Sequence, residues 1–83
     1  MKAEVWYVYM LKCSDNSLYT GVTVNLARRV DEHNNSPLGA KYTKPRRPVT
    51  LVYQEICENR TMATKREAEI KKMVRKDKIE LCH

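Results

Sequence analysis

The sequence has few cysteines, and their arrangement excludes the two structural uses of this residue. There are three, an odd number with no C-x-x-C pair: Cys13, Cys57 and Cys82. A disulfide scaffold needs dense, pairable cysteines, and a structural zinc site needs closely spaced ligands. Free thiols are the remaining interpretation. They indicate a reducing compartment, so we expect a cytoplasmic protein.

Long apolar segments, repeats, linkers and low-complexity stretches are also missing. The N-terminus contains no extended apolar run after Lys2, so we expect neither a signal peptide nor a membrane span. At 83 residues, the chain is long enough for one domain with a small core. The sequence therefore predicts a single α/β domain over residues 1–83.

Acidic residues are too few to balance the basic ones. Ten Asp and Glu stand against sixteen Lys and Arg, which gives a net charge of +6. This excess favours a polyanionic partner, although charge alone leaves an incidental basic surface equally open. No helix-turn-helix or zinc finger is present to read bases. We predict salt-sensitive, sequence-independent nucleic-acid contacts from six residues: Lys41, Lys44, Arg46, Arg47, Lys71 and Lys72.

Three segments carry strand signals. Val5–Leu11 is almost continuously apolar or aromatic, which predicts a strand buried on both faces. Polar residues at Ser14–Ser17 favour a turn, and Leu18–Thr23 then alternates with the period of a strand. The first two strands should therefore form an antiparallel hairpin. Val49–Cys57 is expected to be the third strand.

The first helix follows the hairpin. Thr23 or Asn25 can cap it, and it should run to about His33. Leu26 and Val30 lie four residues apart and indicate its buried face. The residues assigned to the solvent face are Arg28, Asp31 and Glu32.

The rest of the chain predicts a loop and two more helices. Residues 34–48 contain all three prolines, which indicates a loop with one helical turn near Lys41. A second long helix is expected from Thr61 to about Val74, and a short terminal helix over residues 77–82.

Glu67 occupies an unusual position on the second long helix. Ala63, Ile70 and Val74 form an apolar stripe, and Glu67 lies inside it, four residues after Ala63. A carboxylate that faces a core must find a partner or bind a cation, because burying it alone is costly. The alternative is a boundary glutamate paired with Lys71 at the i, i+4 spacing.

Two tyrosines are placed to meet across the hairpin. Tyr9 follows Tyr7 on one face of the first strand, and Tyr19 shares its face with Gly21 on the second. Gly21 would leave room for a substrate group, and the phenols could orient or deprotonate water. Taken singly, each tyrosine is more readily interpreted as a structural aromatic residue at the edge of the core.

Arg29 and His33 stand four apart and share one face of the first helix. Arginine suits contact with a phosphate and can stabilise charge that develops in a transition state. His33 lies near the helix C-terminus, where it could instead interact favourably with the helix dipole. Both interpretations of His33 stay open at this point.

Taken in order, these residues resemble the GIY-YIG nuclease superfamily. The two name-giving motifs correspond to Tyr7-Val8-Tyr9 and Tyr19-Thr20-Gly21, followed by Arg29, His33 and the helix glutamate Glu67. The similarity is closest to the small stand-alone bacterial GIY-YIG proteins and covers nearly the whole chain. Tyr7 replaces the first glycine of the name-giving motif. No asparagine follows Glu67 at the distance at which some members carry one.

The resemblance implies a three-stranded antiparallel sheet flanked by helices, with the site on one face. It further implies that Glu67 holds one divalent ion, Mg2+ or Mn2+. Tyr19 would activate or orient water with help from Tyr9, and Arg29 would bind the phosphate. His33 would assist positioning or proton transfer.

Three functions follow, in decreasing order of support. The first is a metal-dependent endonuclease that hydrolyses phosphodiester bonds of nucleic acid, DNA in preference to RNA, in repair or processing. The second is a non-catalytic nucleic-acid-binding module within a larger repair or RNA-processing assembly. The third is an interaction domain whose protein partners the sequence does not identify.

Overall fold

A computed structural model describes residues 5–82. The residues before Val5, on which the expectation of no signal peptide partly depends, lie outside it. Three strands form one sheet in the order β2-β1-β3, and both pairings are antiparallel. The elements in chain order are β1 (Trp6–Lys12), β2 (Leu18–Thr23), α1 (Leu26–Asn35), β3 (Thr50–Cys57), α2 (Arg60–Lys72) and α3 (Arg75–Leu81). The predicted three-stranded antiparallel sheet with flanking helices is confirmed.

Strand β1 lies at the centre of the sheet and is buried on both faces, as its continuous apolar sequence predicts. On one face, Val8 and Met10 pack with Ala63 and Ile70 of α2. On the other, Tyr9 packs in a second cluster with the apolar side chains of α1 and the start of β3. The sheet therefore separates two small cores, and Tyr9 faces α1.

The β1–β2 register places the two motif tyrosines on the same face. Tyr9 pairs directly with Gly21, and Leu11 pairs with Tyr19, which lies two residues before Gly21 in β2. Because alternate residues of a strand share a face, Tyr19 lies diagonally across from Tyr9. The turn between the strands closes at Asn16, which has a positive φ of 68° that asparagine tolerates.

Helix α1 is held at both ends by side chains. At its start, the Asn25 side chain accepts a hydrogen bond from the Arg28 backbone N–H at 3.0 Å, so Asn25 is the N-cap. At its end, the Arg47 guanidinium donates to the carbonyls of Glu32, His33 and Ser36. These contacts fix the position of α1, which carries two of the predicted site residues.

Three boundaries differ from the sequence-based expectation, and one of them is the start of α3, at Arg75 rather than at residue 77. Helix α2 ends at Lys72, and Val74 becomes the N-cap of α3 with 65% of its surface exposed. Val74 is therefore not part of the apolar stripe, which consists of Ala63 and Ile70. Met73 ends the helix by adopting an extended backbone conformation, a change that no glycine or proline announces. The turn expected near Lys41 is a short 3-10 helix at Lys44–Arg46.

No helix within residues 5–82 combines the length and apolar character that crossing a bilayer requires.

Candidate active site

Tyr9 projects from the centre of the sheet over Gly21. A Cβ atom added at Gly21 would lie 2.5 Å from the Tyr9 hydroxyl oxygen, which is closer than side chains approach each other. The space above Gly21 is thus filled by the Tyr9 hydroxyl. The expectation that Gly21 leaves room for a substrate group is therefore wrong, because the cross-strand partner already occupies that room.

His33 is fully buried beneath Tyr9 and uses both ring nitrogens. Its Nε2 lies 2.8 Å from the Tyr9 hydroxyl, and its Nδ1 lies 2.8 Å from Thr43 Oγ1. The Thr43 hydroxyl donates its only proton to the Ala40 carbonyl at 3.0 Å, so it must accept from Nδ1–H. In the neutral ring Nε2 is then the acceptor, and Tyr9 donates to it.

The surroundings keep both Tyr9 and His33 uncharged near neutral pH. Burial, followed by the positive charge of Arg29, lowers the pKa of His33 to about 4. Burial raises the pKa of Tyr9 to about 12, although a hydrogen bond from Arg29 acts in the opposite direction. His33 is therefore a neutral acceptor aimed at a protonated phenol. A neutral ring does not interact with the helix dipole as a cation would, and Arg47 already occupies the last carbonyls.

Tyr19 completes an aromatic group around His33. Its ring centroid lies 5.2 Å from His33 in an edge-on arrangement and 6.5 Å from Tyr9. On its other side it stacks with Tyr42, at 6.0 Å and an interplanar angle of 24°. Tyr42 was not among the predicted residues.

Arg29 lies beside this group and is held by two oxygen atoms. Its Nη1 donates to Glu32 Oε1 and to the Leu38 carbonyl, each at 2.9 Å. Glu32 was expected to face solvent, but its side chain is only 21% exposed because it pairs with Arg29 one helical turn earlier. Arg28 lies 3.9 Å from the other Glu32 oxygen, but its side chain is 64% exposed.

Glu67 forms the ion pair that the i, i+4 alternative predicts. Its side chain is half-buried, and one oxygen lies 3.4 Å from Lys71 Nζ, as the i, i+4 alternative predicts. Burial is the main reason that the pKa of Tyr9 is raised, and the negative charge of Glu67 adds a small contribution in the same direction. Lys71 lines the same groove as Tyr19, which places Glu67 on the Tyr19 side of the molecule.

Glu67 is the residue that would hold a divalent ion. Within residues 5–82, no group of three or more His, Cys, Asp or Glu side chains is close enough to form a metal cage. A single carboxylate suits Mg2+, which keeps several waters and takes further ligands from substrate phosphate. The donor set therefore fits a Mg2+-type site and does not fit a closed structural site.

The predicted basic contacts divide into two groups. Lys41, Lys44 and Lys72 are exposed, and Lys71 is more than half exposed beside Glu67. Arg46 contacts Asp15 at 3.0 Å and the Tyr42 carbonyl at 2.8 Å. The Arg47 guanidinium is committed to the end of α1, so its structural role replaces the predicted contact with nucleic acid.

Sequence reasoning missed Glu32, Tyr42 and Thr43. The last two lie in the proline-containing loop, where periodicity gives no information about which side chains turn inward. One available signal was the aromatic Tyr42, followed by a small hydroxyl residue, within an otherwise basic and proline-rich stretch. Thr43 is fully buried there.

Comparison with known proteins agrees with this geometry. Residues 5–80 match the family described as the GIY-YIG catalytic domain. A UPF0213 protein of Desulfotalea psychrophila is 56% identical over 68 residues, which is 82% of this chain and 62% of that protein. A UPF0213 protein of Syntrophus aciditrophicus is 56% identical over 75 residues, covering 90% and 86% of the two chains.

Two solved structures share the fold. A protein from E. faecalis, determined by NMR in solution, has 49% identity and a TM-score of 0.62, covering 89% of this chain and 78% of that one. The UPF0213 protein of Bacillus halodurans, also determined by NMR, has 40% identity and a TM-score of 0.59, with 93% and 81% covered. With the ordered motifs, the sheet and the tyrosine site on one face, the chain belongs to the GIY-YIG family.

Proposed function

We propose that this protein is an endonuclease that hydrolyses phosphodiester bonds of nucleic acid. The observation that carries the proposal is the hydrogen-bonded chain from Tyr9 through His33 to Thr43, with Arg29 beside it. A nucleic-acid-binding scaffold alone does not require a buried neutral imidazole that accepts from a phenol. Proton transfer does require such an acceptor.

Each residue of the site has a separate proposed role. Arg29 binds a non-bridging phosphate oxygen and offsets the charge that develops at phosphorus. Tyr19, which is less buried than Tyr9, orients the attacking water. As the water oxygen bonds to phosphorus, its proton passes to the Tyr9 oxygen, and the Tyr9 proton passes to His33 Nε2. The bond from phosphorus to the leaving oxygen breaks, and that oxygen takes a proton from solvent. His33, whose low pKa favours the neutral ring, then returns its proton through the Tyr9 hydroxyl to solvent, which restores the starting state.

Glu67 would hold one Mg2+ or Mn2+, which supplies Lewis-acid stabilisation of charge on the leaving oxygen. The partly buried position of Glu67 supports this role, since a carboxylate retained near an aromatic site needs a cation. In the absence of a metal ion, Lys71 provides the compensating charge.

The contact between Lys71 and Glu67 also favours a second candidate function. Lys71 lies 3.4 Å from the proposed metal ligand Glu67 and neutralises its charge. This arrangement would also suit a module that binds nucleic acid without turnover, within a larger assembly. The two candidates differ in whether adding a divalent ion produces cleavage.

The decisive experiment removes the carboxylate charge. Glu67→Gln should abolish cleavage of branched and single-stranded oligonucleotides in Mg2+ or Mn2+ while leaving binding nearly unchanged, because glutamine keeps the shape and loses the charge. Glu69→Gln is the matched control, since Glu69 lies on the same helix with a 58% exposed side chain. Activity that survives Glu67→Gln would contradict the mechanism. No activity in the wild type would favour the binding module.

The proposal also specifies the type of nucleic acid, the biological role and the location of the protein. We infer DNA rather than RNA as substrate, a role in repair or processing, and a cytoplasmic location, which the free thiols support. Cleavage of matched DNA and RNA oligonucleotides tests the first of these directly.

A further inference from the structure

A shallow groove of about 220 Å³ borders the tyrosine site. Its lining residues are Leu18, Tyr19, Thr20, Tyr42, Lys71 and Lys78. Pockets for drug-sized ligands measure roughly 300–1,000 Å³, so this groove suits a smaller group. Tyr19 belongs both to the groove and to the aromatic group around His33. Whatever occupies the groove therefore lies directly beside the proposed reaction centre.

Part of the groove lining is aromatic, and neighbouring side chains hold its Tyr42 ring in place. Tyr42 stacks with Tyr19, and the Arg46 guanidinium carbon lies 4.0 Å from the Tyr42 ring centroid. Arg46 is fixed in turn by Asp15 and by the Tyr42 carbonyl. Although these neighbours surround it, Tyr42 remains 39% exposed. An aromatic side chain that is anchored and still partly exposed is suited to serve as a stacking platform for a base.

The groove lining also contains two cationic side chains. Lys71 comes from α2 and Lys78 from α3, and the two helices are separated by only a short break at residues 73 and 74. Helix α3 is tied to the hairpin by Arg75, which donates to the Asn16 carbonyl at 2.7 Å. Lys78 makes no ion pair with any carboxylate among residues 5–82, so its charge is available to a ligand.

We propose that this groove binds one unpaired nucleotide of the substrate strand, with its base against Tyr42 and Tyr19 and its phosphate at Lys71 and Lys78. An aromatic platform facing cations is how proteins hold single strands without reading their sequence. A base inside a duplex stacks on neighbours at both faces, so it can reach Tyr42 only after leaving the stack. This inference rests on the proposed function and names its substrate class as strands with an unpaired nucleotide at the cleavage site.

The test measures binding without divalent ions, so that it does not depend on catalysis. Single-stranded DNA and RNA oligonucleotides of one sequence are compared with the corresponding duplex DNA in the presence of a chelator. Tyr42→Ala should weaken single-strand binding about tenfold and leave duplex binding nearly unchanged, whereas Tyr42→Phe should retain most of the affinity. The DNA and RNA arms show which strand chemistry the groove prefers.

Two further variants keep the test informative if Tyr42→Ala fails to fold. Lys78→Ala should weaken single-strand binding more than Lys76→Ala, which removes the same charge from the same helix outside the groove. Tyr42→Trp adds a fluorophore at the platform, and its emission, taken as the difference from wild type, should change when single strands bind but not when duplex binds.

The outcomes for the groove and for catalysis are separable. Equal affinity of the wild type for single strand and duplex, or equal effects of Lys78→Ala and Lys76→Ala, would overturn the groove assignment even if the protein cleaves DNA. Single-strand binding that depends on Tyr42 would uphold the groove even if Mg2+ and Mn2+ produce no cleavage.

Discussion

At the scale of single residues, His33 shows how surroundings decide the chemistry of a side chain. An imidazole at the end of an exposed helix would titrate near neutral pH and interact with the helix dipole as a cation. Here it is enclosed, lies near Arg29 and is bonded at both nitrogens, so it stays neutral and accepts from Tyr9. Its role as acceptor depends on Thr43, which fixes the tautomer.

The depressed pKa of His33 predicts a loss of stability in mild acid. The unfolded chain takes up a proton on His33 near pH 6.5, whereas the folded protein does so only at about pH 4. Across this window the folded state binds fewer protons, so the stability that is present above the window falls as pH falls. Within this window, His33 lowers the free energy of unfolding by at most about 1.4 kcal/mol for each unit that the pH falls.

Urea unfolding at several pH values measures this effect. In His33→Gln, where no imidazole titrates at this position, the free energy of unfolding should depend less on pH between about 7 and 5. Parallel pH dependences for the two proteins would show that His33 is not held neutral by folding.

At the scale of elements, the end of α1 joins the loop to the site. Arg47 binds carbonyls of Glu32, His33 and Ser36, and the Asn34 side chain bonds both the N–H and the carbonyl of Val49 at 2.7 and 3.0 Å. The loop that carries Thr43 is therefore fastened to the helix that carries His33. Gly39 permits this approach, since a Cβ there would lie 2.8 Å from the Glu32 carbonyl oxygen.

Removing the Arg47 hydrogen bonds should lower the free energy of unfolding substantially, although Arg47 lies outside the sheet. Arg47→Ala leaves three helix carbonyls without their charged donor, and we expect it to destabilise the fold by about 2–4 kcal/mol. Arg47→Lys should recover only part of this, because an ammonium group cannot reproduce the guanidinium fork.

Chemical unfolding of these variants is compared with that of Arg28→Ala, which removes an exposed arginine from the same helix and should cost less than about 0.5 kcal/mol. If Arg47→Ala were no more harmful than Arg28→Ala, the three hydrogen bonds would not be important for the stability of α1.

At the scale of the whole molecule, only some of the basic side chains behind the net charge of +6 are free to contact a ligand. Arg29, Arg46 and Arg47 are bound to oxygen atoms of the protein, so they contribute to structure as well as to the field. The exposed lysines carry the part of the charge that is free to meet phosphates. We therefore expect general nucleic-acid affinity to depend on Lys41, Lys44 and Lys72.

The salt dependence of binding tests this expectation. A Lys41→Ala, Lys44→Ala, Lys72→Ala triple variant should lower the slope of log affinity against log salt by roughly two to three, with an unchanged circular dichroism spectrum. Lys65→Ala is the control, because Lys65 is exposed, lines a different groove with Arg60 and Thr61, and is not among the predicted contacts. Binding of the wild type that is insensitive to salt would refute the electrostatic description.

Local patterns in the sequence determined the sheet, the helices and the order of the motif residues. The strand alternation puts Tyr19 and Gly21 on one face of β2, and the helical period puts Arg29 beside His33, because both periods follow from backbone geometry within a few residues. The same reasoning restricted the N-cap of α1 to Thr23 or Asn25 and identified Glu67 as a carboxylate next to a core. It failed at Val74, where α2 ends without a local stop signal.

Tertiary structure alone decided what these side chains touch. Thr43 reaches His33 across ten residues, Arg47 reaches the same residue's carbonyl across fourteen, and Tyr42 meets Tyr19 from the far side of the loop. Such contacts depend on how the loop closes against α1, and no period within residues 34–48 encodes that closure. Protonation is decided at the same level, since the desolvation that keeps Tyr9 and His33 neutral is the combined effect of every group packed around them.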